Sequence, residues 1–215
     1  MGINPNQNTI NLLGQVTDAL AVTQQPAFGV PVPCGPSGEI LGSDLHGRYY
    51  NANYRNHLFM ATATAIAIPV VASGVASLFH LNNPAGSGKN LIILRAAVGT
   101  VVATTVVDIA GIYYLVNPTE GTPTVGTIRS GILGTGAPSV ATFYTAATHT
   151  SQTPILAANI GGYGAVTDGG ANFFWRDFDG SLIVPPGVGI DILMSTAAGT
   201  ASGDACELTW MEAPI

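Results

Sequence analysis

Four groups of residues in this chain have the types that phosphate binding, metal binding or catalysis would use. The first is Gly86-Ser87-Gly88-Lys89, inside "NNPAGSGKN". A phosphate-cradling loop has the spacing G-x-x-x-x-G-K-[ST] and opens into a helix whose N-terminal amides hold the phosphate. With Gly88-Lys89 as the reference pair, the first glycine position holds Asn83 and the Ser/Thr position holds Asn90. The residues that follow, "NLIILRA", have the β-branched character of a strand. The stretch therefore reads as a turn. Asn83-Pro84 starts it, the glycines permit positive φ, and two β runs flank it. On this reading Lys89 is a solvent-facing turn residue.

The second group is Asp177 and Asp179 in "WRDFDG". Their i, i+2 spacing occurs in calcium loops, but the glycine comes too early and no Glu follows at the twelfth position. A turn with solvated acids is the expectation. The third group is the histidines, His46, His57, His80 and His149. None forms an H-x-x-x-H or H-x-H pair, so the spacing indicates no zinc site. A G-x-S-x-G nucleophile elbow is missing as well. Glutamate is scarce (Glu39, Glu120, Glu207 and Glu212), and nothing in the order of the acids pairs two of them in one cleft. The fourth group is "HGRYYNANYRNHLF", where Tyr49, Tyr50 and Tyr54 accompany Arg48 and Arg55. Such residues can stack on sugars or bases. They equally suit a first strand whose amphipathic rings pack against an arm or a neighbouring subunit. We take these tyrosines as surface or interface aromatics. No catalytic, cofactor-binding or metal-binding residue follows from spacing, so the expectation is a protein that is not an enzyme and has no cofactor.

Stepping outward from these groups, the chain changes character near residue 45. Residues 1–45 are rich in Asn, Gln, Pro and Gly, and "AFGVPVPCGPSGE" cannot form a long helix or a central strand. Within "NTINLLGQVTDALAV", Leu12, Leu13, Val16 and Leu20 recur at roughly helical spacing, behind a potential cap at Asn8 or Thr9. We read residues 1–45 as an extended N-terminal arm with one short helix. Its apolar residues, Leu12, Leu13, Val16, Leu20 and Phe28, would dock on a neighbouring subunit. From residue 46 to 215 the signal is β. "FMATATAIAIPVV" alternates with a two-residue period. "SLFHL", "KNLIILRAAV", "TVVATTVVDIAGIYYLV", "VATFYTAAT", "PILAAN", "NFFWRDF", "GSLIVPPGVGIDILMST" and "ACELTWMEA" follow, each bounded by Gly, Pro, Asn or Ser. Short strands at this spacing, without amphipathic helices between them, predict an all-β antiparallel sandwich or barrel. Residues 121–139, "GTPTVGTIRSGILGTGAPS", read as a long exposed loop.

Composition restricts the partners. Only 8% of the 215 residues are charged, against a usual share of roughly a quarter. So few charges solvate a monomer surface poorly, and much of the exterior is expected to lie under other subunits. The six Lys and Arg are scattered and the formal net charge is −6, which argues against a nucleic-acid partner. No run of 18 apolar residues spans a membrane, and "MGINPNQNTI" carries no Sec-type signal. Cys34 and Cys206 lie far apart and fit no metal spacing or disulfide framework; two reduced thiols are expected.

The order "HGRYYNANYRNHLFMA", an alternating strand, "LFHLNNPAGSGKNLIIL", and the ending "DGSLIVPPGVGIDILMST…ACELTWMEAPI" resembles a family of tailed-phage virion proteins. The likeness covers about residues 46–215 and consists of turns and strands, including a Pro-Pro-Gly turn and the Trp210-Met211-Glu212 ending. It implies a jelly-roll-like β-sandwich in a structural protein of the particle, with no catalytic residues. A capsid decoration or cement protein located in the virion, assembled in the host cytoplasm, is the expected role. Its partners would be itself, as a homotrimer by analogy with other jelly-roll virion proteins, and other virion proteins such as the major capsid protein. Alternatives are a tail or head-fibre component that binds host glycan, and a secreted carbohydrate-binding sandwich.

Overall fold

The structure, a computed structural model, describes residues 49–66, 68–100, 108–134, 136–163, 173–195 and 204–215. The arm, with Leu12, Leu13, Val16, Leu20, Phe28 and Cys34, lies outside the described residues, as do His46 and Arg48. Among the described residues strand accounts for 65% and helix for 3%, the composition of an all-β fold. One short helix, α1 (Tyr50–Tyr54), precedes twelve described strands: β1 (Leu58–Ile66), β2 (Ala76–Ser77), β3 (His80–Asn83), β4 (Lys89–Thr100), β5 (Asp108–Val116), β6 (Glu120–Val125), β7 (Ile128–Ser130), β8 (Thr142–His149), β9 (Ile155–Tyr163), β10 (Phe173–Val184), β11 (Val188–Met194) and β12 (Asp204–Pro214).

The strands form two antiparallel sheets. One runs β10-β4-β12-β1-β7; the other runs β2-β8-β3-β11-β5-β9, with β6 paired to β8. Their central four-strand blocks, β1-β12-β4-β10 and β3-β11-β5-β9, define the topology. Following the chain through β1, β3, β4, β5, β9, β10, β11 and β12, successive strands change sheet at every step but β5 to β9. That is the double Greek key of a jelly roll. Between β5 and β9 an excursion adds β7 beside β1, and adds β8 beside β3.

The sandwich core follows from strand alternation. Phe59, Ala61 and Ala63 of β1, Leu91 and Ile93 of β4, and Leu208 and Trp210 of β12 point in from one sheet. Leu81, Ile112, Phe143, Ile190, Ile192 and Met194 meet them from the other. Ala61 and Ala63 are buried while Thr62 and Thr64 are exposed. Small side chains on that face leave room for Trp210, which is fully buried and stacks on Phe59 at 6.1 Å between ring centres.

Four local expectations are corrected. "YNANY" is helical rather than part of a first strand. Asn56 takes φ 56° immediately after it; His57 N–H donates to Ala52 O and Asn56 N–H to Asn53 O. This is the paired bonding of a Schellman cap, which closes the turn before the strand begins. "WRDFDG" is a bulge inside β10, not a turn between strands. The register jumps between Asp177 and Leu182, where Asp179 and Gly180 both take positive φ. Residues 121–139 are not one loop, because β6 and β7 lie within or at the edge of that stretch. Lys89 is not a free turn residue: it opens β4, and its Nζ lies 2.9 Å from Oε2 of the buried Glu212.

The turn around "PAGSG" also differs in kind from a hairpin. It carries the chain from β3 in one sheet to β4 in the other. Ser87 N–H donates to Pro84 O, and Gly88 sits at φ 66°. Asn83 locks this corner from inside. Its Nδ2 donates at 2.9 Å to both Lys89 O and Val184 O, while Gly187 N–H donates to its backbone carbonyl. The β3–β4 corner and the Pro185-Pro186-Gly187 corner between β10 and β11 are thus tied to one buried side chain.

Candidate functional site

The residues with the most pronounced chemistry lie on the outer face of the second sheet. Strand alternation places Leu81, Ile190, Ile192 and Ile112 toward the core. It therefore turns their neighbours His80, Asp191 and Tyr113 outward. Register puts those side chains in one row: Tyr144 faces His80, His80 faces Asp191, and Asp191 faces Tyr113. An outward row on a sandwich would ordinarily meet water. Here it is covered. Met194 N–H donates to Pro69 O and Val71 N–H to Met194 O, holding the segment before β2 against β11. Val71 and Val75 pack on Tyr113 and Leu193 as a second small apolar cluster. The β6–β8 pair closes the other side.

Beneath that cover, acids and imidazoles alternate. His80 Nδ1 lies 2.8 Å from Asp191 Oδ1, and His80 Nε2 lies 3.1 Å from Glu120 Oε1. His149 Nε2, from the end of β8, lies 3.2 Å and 3.0 Å from the two oxygens of Asp191. The order is Glu120, His80, Asp191, His149. The side chains of His80, His149 and Asp191 have no exposed surface, and that of Glu120 is 14% exposed. Tyr144 stacks on the His80 ring at 5.8 Å and the two imidazoles meet edge to face at 4.6 Å. Gly189 makes room for the ring: a Cβ there would collide with His80 Cε1 and stand 2.9 Å from Nε2 and 3.0 Å from Pro118 Cγ.

Burial disfavours charge on His80, Asp191 and Glu120, yet their partners prevail. For His80, burial pulls the pKa down, but hydrogen bonds to Asp191 and Glu120 outweigh it and raise the value from 6.5 to about 9. For Asp191, burial pushes up, while hydrogen bonds from His149 and His80 hold the carboxyl below its ordinary value. Glu120 behaves likewise, with burial opposed by His80 and then Tyr144. The cluster thus contains two carboxylates held ionised in a place with almost no water.

Spacing along the chain did not reveal this group. His80 and Asp191 are 111 positions apart and meet only as register partners across β3 and β11. The single legible hint was that "FHLNN" and "GIDIL" each put a titratable residue into an otherwise apolar alternating strand. Of the residues weighed from sequence, His80, His149 and Glu120 belong to this row, while the tyrosines and the acids of "WRDFDG" lie elsewhere. Tyr50 and Tyr54 are exposed and stack on each other at 6.0 Å. Tyr49 donates its hydroxyl to Asp179 Oδ1, and Asp177 pairs with Arg95 at 2.6 Å. The two acids of the β10 bulge are therefore held by different partners. Cys206 is free and buried, and burial pushes its thiol pKa up.

No family model, curated protein or solved structure matches the chain.

Proposed function

We propose that the chain is a non-enzymatic structural subunit of a tailed-phage virion, of the decoration or cement type, that works by burying surface against copies of itself and neighbouring shell proteins. The observation that carries this reading is the pair of edge strands at one side of the sandwich. β10 ends one sheet and β9 ends the other. Phe173, Trp175 and Ile183 of β10 and Ile155 and Leu156 of β9 are each 46–59% exposed. Long edges with uncovered apolar residues invite pairing, and soluble monomers usually blunt them with charge or proline. On β10 the charges and the bulge are confined to Arg176–Gly180, between its exposed apolar residues, and β9 carries no charged residue or proline. The opposite side of the sandwich ends in β7 on one sheet and in β2, β8 and β6 on the other, so the two sides are treated differently.

Other observations support the same reading. The buried acid–imidazole row has almost no accessible surface for a substrate. The low charge suits permanent interfaces, which resemble a core cut in two. The likeness in turns and strands to virion proteins points to the same class, and the arm would clamp shell subunits through Leu12, Leu13, Val16, Leu20 and Phe28. The test is native mass together with binding to particles. Analytical ultracentrifugation should give a homo-oligomer, with a trimer expected. Deleting residues 1–25 should abolish incorporation into particles. A monomer that fails to bind any particle would sink the proposal.

One observation favours a second reading. Phe173 and Trp175 lie 6.0 Å apart on an exposed strand, and such a pair is a platform on which sugar rings stack. A fibre or secreted module binding glycan would use it. Binding on a glycan array that vanishes in Trp175→Ala, in a protein that stays monomeric, would favour that reading.

A further inference from the structure

We propose that His80, His149 and Asp191 hold a structural divalent transition-metal ion, with Glu120 as the outer carboxylate that orients His80. Three donor atoms converge from three strands: His80 Nδ1 from β3, His149 Nε2 from β8 and a carboxylate oxygen of Asp191 from β11. All lie within 4.8 Å of one another. In a tetrahedral site with bonds of about 2.0–2.1 Å, neighbouring donors stand roughly 3.3 Å apart. The imidazole-to-carboxylate separations of 2.8, 3.0 and 3.2 Å are already close to that edge. The wide edge of the group is the one between the two imidazoles, within 4.8 Å, so binding needs their nitrogens to close on each other while each opens slightly from Asp191.

Three features beyond proximity favour an ion. The first is the donor set. Two imidazole nitrogens and one carboxylate suit zinc-like and ferrous-like ions rather than calcium or magnesium, which prefer oxygen. The second is Glu120. Metal-bound histidines give their other N–H to a carboxylate, which fixes the tautomer and the ring plane. His80 Nε2 meets Glu120 Oε1 in that way, on the side away from Asp191. The third is charge. Two carboxylates with two neutral imidazoles balance a divalent cation, and the side-chain partners of these carboxylates among the described residues are His80, His149 and Tyr144. Binding would release the protons that the metal-free chain shares between the imidazoles and Asp191. Because the three ligand side chains have no exposed surface, the ion would pin β3, β8 and β11 under the cover formed by the segment before β2. Its role is structural. The inference stands apart from the virion reading.

The test uses the full chain, stripped with chelator and then loaded separately with Zn2+ and Co2+. We expect about one Zn2+ per chain by elemental mass spectrometry, a visible absorption band from tetrahedral Co2+, and a higher melting temperature when loaded. His149→Gln and Asp191→Asn should abolish uptake. Both side chains are fully buried, so Glu120→Gln provides a second arm: it should stay folded by circular dichroism and bind Zn2+ about 10–100-fold more weakly. Two results would overturn the proposal. One is a folded wild-type chain that neither retains Zn2+ nor shows a Co2+ band. The other is Zn2+ bound with equal affinity by wild type and folded Glu120→Gln or His149→Gln.

Discussion

Asp191 is a carboxylate with no accessible surface, and it accepts from an imidazole on each side. Removing it strands two buried rings that it had satisfied. Breaking a buried ionic group by deleting one partner costs about 3–5 kcal/mol. Asp191→Ala in chelator-treated protein should lose that much in denaturant unfolding. The same row makes stability depend on pH. His80 has a folded pKa of about 9 against an ordinary 6.5, so its contribution is complete below 6.5 and is lost as pH rises through about 9. Asp191 and Glu120 have lowered values, so theirs is present above the ordinary carboxylate range and is lost as pH falls through their folded values. Denaturant midpoints with chelator present should therefore decline from neutral toward alkaline pH, and His80→Gln should flatten that decline. Equal midpoints at pH 6 and above 9 in the wild-type chain would contradict the alternating order of charges. At Cys206 the expectation is kinetic: a thiol buried beside Asp204 should resist a thiol reagent until the sandwich unfolds.

Strand ends and corners carry the next level. Lys89 and Glu212 join the first residue of β4 to β12, and Glu212 also accepts from Ser139 Oγ and Val140 N–H. Lys89→Ala leaves a buried carboxylate oxygen without its cation, and a loss of about 1–3 kcal/mol is expected in chemical denaturation. An ordinary surface lysine would change stability by less than about 0.5 kcal/mol. Asn83→Ala removes both donations that tie the two inter-sheet corners, and should cost about 2–3 kcal/mol. These corners show what the sequence could and could not convey. The two-residue period of "FMATATAI" and the Gly/Pro punctuation placed most strands, because alternation and positive φ are local properties. Asn83 was legible as a turn starter, and its position rightly broke the phosphate-loop pattern. Its function as a clamp was not legible, because Val184 lies 101 positions away. The aromatic run at Tyr49–Tyr54 misled for a related reason. Its β-type composition was overridden by one left-handed residue, Asn56, which the sequence marks only weakly. Glu120, lying in a Gly/Thr/Pro-rich stretch, reached His80 only through the pairing of β6 with β8.

At the scale of the whole molecule, the sandwich has one side finished and one side open among the described residues. If β9 and β10 meet a second copy as a single interface, residues on both strands contribute to the same association. Replacing Trp175 by Asp places a charge where an apolar ring is to be desolvated, and should shift the oligomer to monomer at micromolar concentration. Ile155→Asp, on the other sheet, should do the same. Combining the two should add less than the sum of the single effects, because residues sharing one interface are not independent. Thermal unfolding supplies a separate readout. An associating protein melts higher as its concentration rises, and a monomer does not. The wild-type melting temperature should therefore climb with concentration, while that of Trp175→Asp should stay constant. Because Trp175 is 59% exposed and outside the core, the variant monomer should keep its far-ultraviolet dichroism. Strictly additive effects of the two substitutions would mean that β9 and β10 serve different contacts. A wild-type melting temperature independent of concentration, with Trp175→Asp unchanged in native mass, would mean that this open side is not where the subunits join.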